Sequence, residues 1–150
     1  MIRYKSTGEI HKDFHGLTCA TLHYLVDNYG RDALETVLQE TAQKVYKTMH
    51  EALLRGDCTE LAEYWEYYLT REGGDFTVEK LADGLRLIVR DCPALRHLVK
   101  LEQQPDHILC DATRIFDEAL AQGSPFRAEL KETGTFSCEQ LLTRADEVKK

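Results

Sequence analysis

The feature that most constrains this chain is an apolar stripe in its first half. Leu34, Val37, Leu38, Thr41/Ala42, Val45, Met49 and Leu53 recur at i, i+3/i+4 over about five turns. That period belongs to one long amphipathic helix. Asp32 stands at its start with Glu35 three residues on, an approximate capping box, and Gly56 stops it. A helix from Leu17 to Tyr29 precedes it, with Leu17, Ala20, Tyr24 and Leu25 on one broad face and Gly30 as the residue that accepts positive φ at its end. A third helix, Thr59 to about Leu69, gathers Leu61, Trp65, Tyr68 and Leu69 near one face and Glu60, Glu63 and Glu66 near another.

Past Gly73-Gly74 the period changes to two. Phe76 and Val78 alternate with polar neighbours, and so do Leu85, Leu87 and Val89, with Asp83-Gly84 between them. This predicts a hairpin pairing 75–81 with 85–91 through a type I′ turn. Cys92-Pro93 then reads as an N-cap followed by proline at the first helical position, opening a short helix over 93–100. Asp106 caps a longer helix with Ile108, Leu109, Ala112, Ile115, Phe116, Ala119 and Leu120 inward, ended by Gly123. Phe126, Ala128 and Leu130 alternate as a strand, and Gly134 marks a turn. Phe136 and Cys138 suggest a last strand before a short polar helix. The expected architecture is α+β: an N-terminal helical layer packed on a small, mostly antiparallel sheet with two further helices. One domain spans 13–144, between a loose arm at 1–12 and a frayed end at 145–150.

Charge and composition exclude several classes. Net charge is −7, and from Asp57 to Glu79 seven acids face only Arg71. No basic stripe exists, so nucleic-acid binding lacks its electrostatic footprint. The acidic stretch reads as a solvated helix face plus a turn. No apolar run approaches the roughly 20 residues of a membrane span. Met1-Ile2-Arg3-Tyr4-Lys5-Ser6-Thr7-Gly8 has no apolar stretch behind its charges, so a secretory signal is not expected and a cytoplasmic location is. Five cysteines, with no C-x-x-C, argue against a disulfide framework and a zinc knuckle. No phosphate loop, G-x-S-x-G or H-E-x-x-H occurs.

The chemistry-bearing residues concentrate in the second half. A thiol at Cys92 would face the unpaired amides and positive dipole end of a helix, which favour thiolate, with Arg90 and Arg96 near in sequence. A small buried thiol is the plain alternative. His107 and Cys110 are three apart on one helix and share a face. His97 lies one turn after Pro93, and Cys138 faces the group if its strand joins the hairpin sheet. Cys92, His97, His107, Cys110 and Cys138 suit Zn²⁺ by ligand type, although their spacing is no zinc signature. A thiolate beside an imidazole, an activated nucleophile, fits the same residues. His11 and His15 are four apart but precede a glycine. His23 and His50 read as boundary residues, and Cys19 and Cys58 as structural. Tyr64, Trp65, Tyr67 and Tyr68 read as core or rim packing, with a planar-ligand pocket as the sharper reading.

Several runs resemble one family. Tyr29-Gly30, Glu35 and Thr41-Ala42-Gln43-Lys44-Val45-Tyr46 resemble the N-terminal helical part of the L-2-amino-thiazoline-4-carboxylic acid hydrolases. Asp91-Cys92-Pro93-Ala94-Leu95-Arg96-His97-Leu98 is similar to their central Cys-Pro motif. Cys110, Glu118-Ala119-Leu120, Gly123, Gly134 and Ser137-Cys138-Glu139-Gln140 resemble their C-terminal segments, so the resemblance covers roughly residues 10–142. It implies hydrolytic opening of a five-membered ring bearing an amidine-like C=N and a carboxylate, giving a carbamoylated cysteine. On that reading Cys92 or Cys110 is the nucleophile and His97 or His107 the general base and then acid. Arg96 or Arg114 holds the substrate carboxylate. Cys138 completes the site, or ligates a metal that activates the water instead. The competing expectation is a non-enzymatic binding or sensor domain of vinyl-reductase type, which needs a larger apolar cavity. A homodimer through the Leu34–Leu53 stripe is a third, and burial of that stripe in the chain's own core accounts for it equally.

Overall fold

The computed structural model describes residues 13–145, and its layers follow from the two periods in the sequence. The first half is helical: α1 (Asp13–Tyr29), α2 (Arg31–Glu40), α3 (Lys47–Leu54) and α4 (Thr59–Glu72). The second half is β1 (Asp75–Leu81), β2 (Gly84–Asp91), α5 (Pro93–Lys100), α6 (Ile108–Ala121), β3 (Phe126–Gly134) and β4 (Ser137–Arg144). The four strands form one antiparallel sheet in the order β1-β2-β4-β3. The fold is α+β, as the patterning implied. The expected arm at 1–12, with His11, and residues 146–150 of the expected frayed end lie outside the described residues.

The long helix read from the apolar stripe is interrupted. Thr41–Val45 is a π-helical turn, and Tyr46 (φ −94°, ψ 37°) breaks the chain before α3 restarts. A π turn adds a residue to a turn and so rotates the phase of everything after it. Leu34, Ala42, Met49 and Leu53 stay buried, whereas Val45 swings out to 74% exposure. The same break turns the Tyr46 ring inward, edge-on to Tyr64 at 5.7 Å and to Phe116 at 5.1 Å. The start of α2 also differs: Gly30 (φ 83°) stands at its N-cap with no side-chain cap, and Glu35 pairs with Arg31 instead of closing a box with Asp32.

The hairpin is present, one residue out of the expected register. Leu81 pairs with Gly84, so the loop is Ala82-Asp83 and Gly84 already belongs to β2. A type I′ turn needs positive φ at both loop residues, and neither Ala82 nor Asp83 has it. Gly84 serves a different need: a Cβ there would sit 1.7 Å from the Leu142 carbonyl oxygen of the neighbouring strand. The short polar helix expected after Cys138 is strand β4, whose Val89–Cys138 register joins it to the hairpin. Leu85, Leu87 and Val89 of β2 and Leu142 of β4 pack against Leu53, Leu61, Trp65 and Leu120 from α3, α4 and α6. Two satellite cores join α1 to the rest, one through Cys19, Leu95 and Leu98, the other through Leu22, Leu34 and Ala112.

Candidate functional site

Three chain segments meet at one end of the sheet, and local chemistry fixes each. Pro93 opens α5 with Cys92 at its N-cap (φ −72°, ψ 116°). The Cys92 N–H donates to the Phe136 carbonyl at 2.7 Å, which ties the β3–β4 turn to the head of α5. The N-cap of α6 is His107, not the expected Asp106; the Asp106 carboxylate, one residue earlier, accepts the Ile108 N–H at 3.1 Å. Glu132 stands at the end of β3, where the register with β4 slips between Glu132 and Gly134. Such bulges re-aim side chains and are frequent beside active sites. Cys138 is the cross-strand partner of Glu132, so the two share a face of the sheet.

These constraints bring His107, Cys110 and Glu132 together. His107 Nδ1 lies 2.5 Å from Glu132 Oε1 and 3.8 Å from Cys110 Sγ. One donor atom from each residue lies within 4.8 Å of the other two. Cys138 and Cys92 lie within electrostatic reach of Cys110. Arg114, one turn past Cys110, donates to Asp111 at 3.0 Å, and its other nitrogen is 3.9 Å from Glu132 Oε2. Asp111 is also held by two nitrogens of Arg31 at 2.7 and 3.1 Å. The row Arg31–Asp111–Arg114–Glu132 thus runs into the donor group from an open groove of about 970 Å³ that Arg31, Asp111 and Arg114 help to line.

The other expected site residues are elsewhere. His97 faces α1, its ring 6.4 Å from that of His15, which pairs with Glu72 of α4. Among the described residues His97 therefore does not enter the donor group. Arg96 bonds Asp91 at 2.6 Å and lies over the Phe136 ring at 3.6 Å, so it braces the β3–β4 turn. Arg90 is bound to Asp75 and Thr77 and does not support Cys92. Glu132 is the residue that sequence reasoning missed. Nothing within β3 distinguishes it, because its importance comes from the bulge and from the head of α6.

Electrostatics oppose a reactive thiol. Burial raises the Cys92 thiol, and this outweighs the Leu95 and Ala94 amides that pull it down. The expected helix-dipole activation is present but smaller than desolvation. Burial, with the Glu132 charge next, pushes Cys110 up to about 12, and burial pushes Cys138 up to about 11. His107 holds the Glu132 carboxyl below its usual range, with burial acting the other way.

The interior beneath the sheet is closely packed. Leu53, Leu61, Trp65, Asp117, Leu120 and Gln140 help to line a cavity of about 10 Å³, room for about one water. No protein-family model, no curated protein and no solved structure matches the chain.

Proposed function

We propose that this chain is a metal-dependent hydrolase that opens a small carboxylate-bearing cyclic amidine, such as an amino-thiazoline carboxylate. The observation that carries the metal is that one nitrogen, His107 Nδ1, faces both Glu132 and Cys110. A Cys–His–carboxylate relay uses the two ring nitrogens for its two partners. Donors that converge from one side suit an ion, and thiolate, imidazole and carboxylate are a zinc-type set. The raised thiols agree with this. Burial, with the Glu132 charge next, favours the protonated Cys110 thiol, and a bound cation would favour its loss of the proton.

His107, Cys110 and Glu132 would hold the ion. An ion held there would lower the pKa of a water molecule and so supply hydroxide near neutral pH. His107 and Glu132 are 41% and 39% exposed, so a polar substrate reaches them. Water adds at the amidine carbon, and one ring bond at that carbon breaks. If the ring C–N bond breaks, both water protons end on that nitrogen. If the C–S bond breaks, one ends on sulfur and one on nitrogen. Arg114, already beside Glu132, takes the substrate carboxylate through its guanidinium edge. Arg31 and Asp111 keep that guanidinium in place.

The alternative, a hydrophobe-binding domain, needs a cavity of roughly 300 Å³ or more. The cavity beneath the sheet is only about 10 Å³, and the open groove of about 970 Å³ is lined by Arg31, Glu35, Asp111, Arg114 and Glu118, charged groups that support a polar small substrate over a hydrophobe. Ring opening of amino-thiazoline carboxylate, followed by product chromatography, tests the proposal. Cys110→Ala, His107→Ala and Glu132→Gln each reduce turnover by at least about a hundredfold, the scale for loss of a metal ligand's contribution. Cys92→Ala keeps most of it. Full turnover in Cys110→Ala and Glu132→Gln would remove the assignment.

A further inference from the structure

The two outer strands of the sheet are built differently. β1 carries the usual protections of an edge strand: Lys80 pairs with the buried Leu85, which sets a charge on the core-facing side, and the register slips between Asp75 and Phe76. β3 has neither device between Pro125 and the slip after Glu132. Its core-facing positions Phe126, Ala128 and Leu130 are apolar, and Arg127 and Glu129 are exposed on the opposite face. The Ala145 N–H donates to the Pro125 carbonyl at 3.0 Å, so the hydrogen-bonded pairs with β4 fall on the odd-numbered residues of β3. The N–H and C=O groups of Phe126, Ala128 and Leu130 therefore point to the open edge. Every residue from Phe126 to Leu130 lines the groove of about 970 Å³, as happens when the edge of a strand, and not one of its faces, meets the space.

We propose that a second copy of this chain docks on this edge, β3 against β3, in an antiparallel register centred on Ala128. Charge complementarity selects both the occupant and the register. Arg127 then lies opposite the partner's Glu129, and Glu129 opposite the partner's Arg127. On the core-facing side Phe126 and Leu130 pair in the same reciprocal way, and Ala128 meets its own copy. Centring the pairing on Glu129 instead sets that acid against its own copy and Arg127 against Lys131, so like charges face each other. The Ala128 register adds about six backbone hydrogen bonds and runs one sheet through both copies. Within one chain Arg127 Nε lies 3.2 Å from Glu129 Oε1, and both side chains are exposed, so this weak pair exchanges for the cross-strand pairs at little cost. The added strand extends the sheet over the groove, whose far wall keeps Arg31, Asp111 and Arg114. Dimerisation on this edge is independent of any hydrolase activity.

Sedimentation equilibrium of the full chain, run as a concentration series into the millimolar range, reads the dimer. Arg127→Glu and Glu129→Lys each turn both cross-strand charge pairs repulsive, and each is expected to raise the dissociation constant at least about tenfold. Mixing the two single variants in equal amounts restores about the parent affinity as a heterodimer, because opposite charges face each other again. The double variant R127E/E129K restores it as a homodimer. Both positions are exposed, so these changes leave the fold intact. Hydrogen exchange gives a second readout: the Ala128 and Leu130 amides gain protection as concentration rises, whereas those of Arg127 and Glu129, already bonded to β4, do not change. A parent chain that stays monomeric throughout, its edge left to an unrelated extended peptide, overturns the proposal. So does a dimer that the single variants leave intact, or one that neither the mixture nor the double variant restores. Unchanged exchange at Ala128 and Leu130 in the dimer overturns it as well.

Discussion

Gly84→Ala lowers stability by at least about 3 kcal/mol, measured as the urea midpoint at constant m-value. The cause is steric. The added Cβ would lie 1.7 Å from the Leu142 carbonyl oxygen, 2.8 Å from its carbon and 3.1 Å from Thr143 Cα. All three atoms are backbone of β4, so no side chain can turn aside. β2 would have to move away from β4 at the end where Gly84 pairs with Thr143 and the Asp83 carbonyl accepts the Arg144 N–H at 2.9 Å. Leu85 and Leu142, each nearly sealed from solvent, lie in the next step of the register and would lose packing with it. A variant with unchanged stability would show that the two strands do not approach this closely.

Asp117→Asn has an opposite and pH-dependent effect. Burial, with Glu118 adding repulsion, raises the Asp117 carboxyl from 3.8 to about 8. Glu129 of β3 lines the same cavity, and Tyr64 of α4 and Cys138 of β4 are also within reach, both uncharged at neutral pH because burial raises them too. Between these two pH values the folded chain keeps a proton that the unfolded chain has released. Stability therefore falls as pH rises from about 4 to about 8 and levels off above. Asparagine is neutral throughout and removes this slope. The variant should match the parent near pH 4 and exceed it near pH 9 by roughly 2–5 kcal/mol. Urea denaturation of both proteins at the two pH values checks this. Equal stability at the higher pH would mean that Asp117 ionises without penalty.

Asp117 and Gln140 also explain where sequence reasoning lost the fold. The β1–β2 hairpin was legible because Phe76, Val78, Leu85, Leu87 and Val89 keep strict alternation. In β4 the core-facing positions are Cys138, Gln140 and Leu142, and a glutamine in the middle hides the period of two. The segment then resembles a polar helix. The stripe from Leu34 to Leu53 identified helix correctly but could not reveal the π turn at Thr41–Val45. Those residues have ordinary helix-forming character, and the break shows only when Tyr46 finds its place between Tyr64 and Phe116.

The candidate site was legible in part for the same kind of reason. The head of α5 at Cys92-Pro93 and the His107/Cys110 pair are local features, set by proline geometry and by helical spacing. Whether Cys92 is activated is a contest between helix amides and burial, and burial depends on the two core clusters it packs against. Glu132 enters only because a bulge ends β3 beside the first turn of α6. His97 leaves because α1 packs against α5 and offers it His15. Such neighbours are set by tertiary packing and leave no trace in residue spacing.

In the proposed hydrolase, His107, Cys110 and Glu132 bind a divalent ion together. Titration of the metal-free chain with Co²⁺, read by thiolate-to-metal charge-transfer absorption and checked by Zn²⁺ competition, tests it most directly. One ion per chain is expected, with affinity reduced at least about tenfold in Cys110→Ala and in Glu132→Gln and retained in Cys92→Ala. Absence of the charge-transfer band, or an unchanged titration in Cys110→Ala and Glu132→Gln, would contradict it.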